Sequence, residues 1–163
     1  MKTGDAMTQE LLISIDLEAD GEIPGTDDFS MLSLGACLLE FPEETFYVEL
    51  KPISGKFNPE ALAVSGLDRD ALTAHGLDAY QAMQQFEAWV LEMLTKYGRS
   101  KAIAVTLSEW DQMFVDWYSV HFLGHRVVNF TGIDMKSYFM GKHRIRSFGQ
   151  TGRTEAQTLS GNN

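Results

Sequence analysis

Two carboxylates one residue apart give the strongest chemical signal in the chain. Asp16 and Glu18 follow the mainly apolar residues 11–15 (LLISI). In a β-strand, residues i and i+2 point to the same face, so both carboxylates can be directed at one point near the end of the strand. Oxygen ligands of this kind are the ones that Mg²⁺ and Mn²⁺ prefer. An isolated pair of this type is more often solvated, and the apolar residues before it are what favour a divalent metal site.

The residues around this pair resemble the first motif of a nuclease family. Residues 15–21 (IDLEADG) and 30–36 (SMLSLGA) are similar to the first exonuclease motif of the DEDD 3′–5′ exonucleases, a ribonuclease H-like family that includes proofreading subunits and oligoribonucleases. Residues 110–115 (WDQMFV) resemble the second motif, in which an aromatic residue precedes a metal-binding Asp at the start of a helix. Residues 133–137 (IDMKS) resemble the strand end that follows, and the resemblance covers about residues 11–141.

The resemblance implies a role for each acidic residue. Asp16 would bridge two metal ions, Glu18 would bind the ion that activates water, and Asp111 would approach from the facing helix. In the family, two Mg²⁺ or Mn²⁺ ions about 3.5–4 Å apart bind the scissile phosphate, one lowering the pKa of the attacking water and the other stabilising the leaving 3′ oxygen. The implied function is metal-dependent removal of nucleotides from the 3′ ends of single-stranded DNA or RNA.

Asp111 also has a structural interpretation. Ser108 and Asp111 fit a relaxed capping box, in which the acidic residue serves the N-terminus of a helix. A carboxylate is favoured there by the helix dipole as well. Both roles can coexist at one helix start, and the presence of the first motif favours the ligand.

The sequence departs from the family pattern in two places. The second motif usually carries an Asn four residues before its Asp, where this chain has Leu107. The third motif, a His or Tyr followed by a final Asp on a C-terminal helix, has no counterpart after Gly141, since residues 142–163 contain no Asp. The remaining histidines, at positions where packed or solvated side chains are usual, are His75, His121 and His125.

These departures leave two functional hypotheses. The first is a shortened 3′–5′ exonuclease with little or no activity. The second is a noncatalytic ribonuclease H-like module that binds nucleic acid or a protein partner. In the family the C-terminal helix packs on the sheet near the metal centre, so its loss predicts uncovered apolar surface on residues 11–15 or 110–117, and with it self-association.

Hydrophobic patterning predicts an α/β fold, a mixed five-stranded sheet with flanking helices as in ribonuclease H-like proteins. Strands are predicted at residues 11–16, 31–39, 45–50, 102–105 and 127–133. Helices are predicted to begin at Asn58, after Asp78 and near Trp110, and a last short helix is predicted to run through Met140. Residues 1–141 would form the exonuclease-like domain. Residues 142–163 would form a polar, basic and disordered tail.

Composition limits the partners and the cellular compartment. A net charge of −10 argues against tight, sequence-nonspecific binding of duplexes by phosphate neutralisation. Cys37 is the only cysteine, so no intramolecular disulfide can form and a reducing compartment is favoured. Residues 1–10 lack the apolar segment of a signal peptide, and no apolar run reaches the roughly 18 residues that a membrane helix needs. The sequence therefore predicts a cytoplasmic protein with no membrane partner.

Overall fold

A mixed β-sheet with helices packed against it forms the described part of the chain. A computed structural model describes residues 10–145. In chain order its elements are β1 Glu10–Ala19, β2 Met31–Leu38, β3 Thr45–Glu49, α1 Pro59–Ser65, α2 Arg69–His75, α3 Ala79–Lys96, β4 Lys101–Thr106, α4 Glu109–Tyr118, a π-helical turn Ser119–Leu123, β5 Ile133–Asp134 and α5 Met135–His143. The strands pair in the order β3-β2-β1-β4-β5, which confirms the predicted five-stranded arrangement.

The directions of the strands follow from the connections between them. Short loops join β1, β2 and β3, and these strands pair antiparallel. β4 lies beside β1 in parallel after a long helical connection, as parallel pairing requires. β5 is parallel to β4. The carboxyl ends of β1 and β4 therefore meet at one edge of the sheet, where Asp16 and Glu18 stand.

One face of the sheet forms the hydrophobic core with α3 and α4. Alternate residues of β1 point to this face, and Leu11, Ile13 and Ile15 are buried there. The buried residues of α3 include Met83, Phe86, Val90 and Met93, which recur every three or four positions. Those of α4 include Phe114, Val115 and Tyr118. The core thus packs the helix that carries Asp111 against the sheet that carries the other two acids.

The predicted start of α3 after Asp78 can be tested by mutation. Asp78 is the N-cap residue, and its carboxylate accepts a hydrogen bond from the backbone N–H of Tyr80 at 3.0 Å. Replacing it, Asp78→Ala, should lower the free energy of unfolding by about 1 kcal/mol, measured by urea denaturation. Gln85→Ala, an exposed change within the same helix, is the control. Equal losses in the two variants would contradict a capping role.

The predicted strand over residues 127–133 is too long. Only Ile133 and Asp134 pair with β4. The segment before them turns instead, because the Asn129 side chain accepts hydrogen bonds from both the N–H and the hydroxyl of Thr131. This local side-chain bond competes with a sheet ladder.

The sequence analysis also missed α2. His75 is the last residue of this helix. Asp68 caps its start by accepting hydrogen bonds from the backbone N–H groups of Asp70 and Ala71. The helix buries only Leu72, so it presents no apolar stripe from which a periodic pattern could be recognised.

The remaining predictions concern exposed surface and the two ends of the chain. Of the apolar surface predicted to be uncovered, Leu12 is half-buried on the face of β1 opposite the core, and Met113 of α4 is exposed. Self-association through such a surface stays a prediction. The predicted tail lies largely outside the described residues, as does the predicted absence of a C-terminal helix. Of the helices between residues 10 and 145, none combines the length and apolar character needed to cross a membrane.

Candidate metal centre and adjoining groove

The two carboxylates of the first motif lie on one face of β1, as their spacing predicts. In the pairing of β1 with β2, Asp16 lies opposite Gly35 and Glu18 lies opposite Ser33. Both neighbours are small, so the carboxylates are not covered by the adjacent strand. Asp16 is exposed and Glu18 is half-buried. The pair is therefore accessible to a ligand from the side of the sheet opposite the core.

Asp111 reaches this site because β4 ends before β1 does. The pairing of β1 with β4 stops at Ser14 opposite Val105, and the chain then turns into α4. Beyond that point the backbone N–H of Leu17 lies near the carboxylate of Asp111 and lowers its pKa. The first turn of α4 thus takes the place that a longer β4 would occupy, and it brings the third acid to the end of β1.

The three carboxylates interact electrostatically. Burial is the main cause that raises the pKa of Asp111 to about 6, and the negative charge of Asp16 is the second. The pKa of Glu18 is raised by burial first and by Asp16 next. Asp16 is therefore the carboxylate whose charge is felt by both of the others. Like charges this close disfavour the ionised state, and a cation between them would reverse that effect.

The capping interpretation of Asp111 is half correct. The Ser108 side chain makes no hydrogen bond at the start of α4. The backbone N–H groups of Ser108 and of Asp111 itself do lie near the Asp111 carboxylate, where they oppose the rise in its pKa. Asp111 is only 5% exposed, so its carboxylate is enclosed at the helix start. The residue serves the helix start and faces Asp16 at the same time.

The three carboxylates have the chemistry that a hard divalent cation prefers, but they are not arranged around one. All three side chains offer carboxylate oxygens, and the charge of Asp16 raises the pKa of the other two. Within residues 10–145, however, no group of three or more His, Cys, Asp or Glu side chains is arranged to hold a metal ion as it stands. Metal ligation by Asp16, Glu18 and Asp111 therefore stays a prediction from the sequence.

A groove adjoins the two carboxylates of β1. Its volume is about 350 Å³. Its walls combine acidic, hydroxyl, aromatic and aliphatic groups, from Asp16, Leu17, Glu18, Ser33, Gly35, Tyr47, Ser65 and Leu67. Tyr47 is 62% exposed and lies two strands away from Asp16, across Gly35. Because Gly35 has no side chain, the space between the tyrosine ring and the carboxylates stays open.

Sequence reasoning missed Asp20, which completes the alternation begun by Asp16 and Glu18. Strict alternation would place its carboxylate beside theirs. A β-bulge between Glu18 and Ala19 changes the register instead, and Asp20 is fully buried. Its carboxylate accepts hydrogen bonds from the N–H of Ser30 at 2.6 Å and from Nε of Arg69 at 2.9 Å. The first motif, residues 15–21, contains Asp20, but no local sequence signal reveals the bulge.

The histidines do not join the groove. His121 stacks on Trp117 with 4.5 Å between the ring centroids, and His125 pairs with Glu87. His75, at the end of α2, lines a different cavity. Among the described residues, none of the three lies in the wall of the groove.

A comparison with known proteins identifies a relative. No protein-family model matches the chain. The 3′-5′ DNA exonuclease Cap18 of Escherichia coli is 35% identical over 133 residues, which cover 82% of this chain and 70% of that protein.

Solved structures show the same fold. The nuclease domain of 3′hExo, a DEDDh family member bound to rAMP, superposes with a TM-score of 0.64 at 18% identity, covering 87% of this chain and 74% of that one. Cell-death related nuclease 4 gives a TM-score of 0.62 at 13% identity, with 86% and 52% covered. Escherichia coli exonuclease I in complex with a dT13 oligonucleotide gives 0.50 at 14% identity, with 72% and 25% covered. The fold, the two motifs and the 35% identical relative establish that this chain belongs to the DEDD family of 3′–5′ exonucleases.

Proposed function

We propose that this 3′–5′ exonuclease depends on a divalent metal ion and removes nucleotides from single-stranded DNA. Asp16, Glu18 and Asp111 would hold Mg²⁺ or Mn²⁺. The observation that carries the proposal is the placement of Asp16 and Glu18 on one face of β1 with Asp111 nearby, where burial first and the charge of Asp16 second raise the pKa of both Glu18 and Asp111. Such repulsion is unfavourable in the free protein and is relieved by a cation.

Each residue contributes differently to such a site. Asp111 is only 5% exposed, with backbone N–H groups of β1 and of its own helix start nearby, so the fold sets the place of its carboxylate. Asp16 is exposed at the mouth of the groove and can rotate toward an ion. Glu18 is half-buried beside the groove, where it would face the end of a bound strand. When bound, the metal would polarise the phosphate and lower the pKa of an attacking water.

The groove supports a single strand as the substrate. At about 350 Å³ it falls in the size range of small-ligand sites, large enough for a terminal nucleotide. Tyr47 offers an exposed ring, on which a base can stack regardless of sequence. The net charge of −10 disfavours a duplex held by its phosphates alone. DNA is proposed because the 35% identical relative is named a DNA exonuclease, and a neighbouring structure holds dT13. The proposed location is the cytoplasm, since Cys37 is the single cysteine.

A nuclease assay with excess protein tests this function. A 5′-labelled single-stranded DNA should shorten from its 3′ end in the presence of Mn²⁺, and EDTA should stop the reaction.

The matched control is the same oligonucleotide with a phosphorothioate bond at its 3′ end, which should resist degradation. An RNA of the same sequence and a blunt duplex should be cut more slowly. Binding of the oligonucleotide without any shortening, at all Mn²⁺ concentrations, would contradict the proposal and favour a noncatalytic module.

A further inference from the structure

A β-bulge interrupts the pairing of β1 with β2 directly after Glu18. Glu18 lies opposite Ser33, but Ala19 lies opposite Met31, so Leu32 is the extra residue on β2. The carbonyl of Leu32 accepts a hydrogen bond from the N–H of Leu50, at the end of β3, at 2.8 Å. A bulge leaves part of the ladder unpaired and redirects the neighbouring side chains. Whatever fixes this bulge therefore also fixes the direction of Glu18.

Side chains accept the two backbone N–H groups at the start of β2. The N–H of Ser30 donates to the carboxylate of Asp20 at 2.6 Å. The N–H of Met31 donates to the hydroxyl oxygen of Tyr118 at 2.7 Å. Both acceptors are fully buried. Burial raises the pKa of Tyr118, so its hydroxyl stays neutral over the whole working range of pH.

Tyr118 and Asp111 lie on the same face of α4. They are seven residues apart, which is almost two full turns, and this spacing places them about 10 Å apart along the helix axis. The N–H of Leu17 of β1 lies near the carboxylate of Asp111, and the N–H of Met31 of β2 donates to the hydroxyl oxygen of Tyr118. The helix is thus attached to the end of the sheet by two polar contacts from one face, on either side of the bulge.

We infer that Tyr118 is a positioning residue of the exonuclease site. Its hydroxyl, through the N–H of Met31, sets the placement of the α4 carboxylate, Asp111, relative to the β1 carboxylates, Asp16 and Glu18. The apolar core holds α4 against the sheet but resists small sliding movements weakly, because apolar contacts have no fixed direction. A hydrogen bond supplies that direction. This inference rests on the proposed metal site, and its test is chosen to be separable from it.

The test is Tyr118→Phe, which removes one oxygen atom and keeps the ring. The change leaves the aromatic packing of α4 in place, so the variant should fold, which a urea titration verifies. The affinity for Mn²⁺, measured by calorimetry, should fall by about 10-fold to 100-fold, as is typical when the support of a metal ligand is lost. The kcat on single-stranded DNA should fall with it, whereas KM should change little, because the groove is untouched.

The matched control is Ser119→Ala. It removes the neighbouring buried hydroxyl of the same helical segment, which donates to the carbonyl of Val115 within that segment at 2.6 Å. It should lower stability without changing the affinity for Mn²⁺. If both variants lose stability and both keep the parent affinity, Tyr118 has only a structural role and the inference is wrong.

A second measurement needs no metal. The amide of Leu17 reports the docking of Asp111, because it lies near that carboxylate and beyond the end of the pairing with β4. In metal-free Tyr118→Phe, hydrogen exchange at Leu17 should accelerate by about tenfold relative to Ile13, which lies where β1 pairs with both β2 and β4. Ser119→Ala should leave this ratio unchanged. A parent protein that binds no Mn²⁺ would refute the proposed metal site, while an unchanged Leu17 ratio would refute the positioning role.

Discussion

Replacing Asp16 with Asn should reduce exonuclease activity by about 10³-fold or more, which corresponds to a loss of about 4 kcal/mol of transition-state stabilisation. Asp16 is the one carboxylate whose charge acts on both Glu18 and Asp111. Its loss removes the central ligand and leaves the other two without a shared partner. The side chain is exposed, so the fold should remain intact. The measurement is single-turnover degradation of 5′-labelled single-stranded DNA in Mn²⁺.

Glu92→Gln is the matched control for this prediction. It makes the same carboxylate-to-amide change on the exposed side of α3 and should leave the rate unchanged. Calorimetry should show that Asp16→Asn has also lost most of its affinity for Mn²⁺. Activity within threefold of the parent, together with an unchanged melting temperature, would mean that the reaction does not pass through Asp16.

The sequence predicts much of this site because local periodicity encodes it. Alternation along β1 places Asp16 and Glu18 on one face, and the structure agrees. The helix that carries Asp111 starts where its first-turn acids indicate. The proximity of Asp111 to Asp16, in contrast, does not follow from any local pattern in the sequence. It was inferred from a family resemblance, and it arises physically because β4 stops early and leaves the N–H of Leu17 near the helix start.

Long-range contacts are what the sequence could not show. The bond from Met31 to Tyr118 joins residues 87 positions apart, and neither residue has a neighbour that signals it. The burial of Asp20 depends on a bulge whose cause is the pairing of β2 with both β1 and β3. Alternation alone would have placed that carboxylate in solvent. Local patterns therefore predict which elements form, whereas the final direction of individual side chains depends on contacts between elements.

The buried carboxylate of Asp111 should make the metal-free protein less stable as pH rises. Its pKa is about 6 in the folded protein, raised from the ordinary 3.8 by burial and by Asp16. The folded state therefore binds this proton more tightly than the unfolded state, and the stability that the proton gives is present below pH 3.8 and lost as pH rises through 6. The expected loss is roughly 2 to 3 kcal/mol, about half of it between pH 5 and 8.

The variant Asp111→Asn isolates this effect from the other titrating groups. It lacks the charge that must be buried at neutral pH, so in EDTA at pH 8 it should melt at a higher temperature than the parent. The difference should shrink at pH 5, where the parent carboxyl is mostly protonated. Adding Mn²⁺ at pH 8 should stabilise the parent and leave the variant almost unchanged, because the cation compensates the charge only where the carboxylate exists. A variant that is less stable than the parent at pH 8 without metal would show that the favourable effect of the nearby N–H groups on the parent carboxylate outweighs the repulsion from Asp16. In that case the carboxylate of Asp111 would stabilise the metal-free fold. The acidic cluster would then carry no loss of stability that a cation relieves.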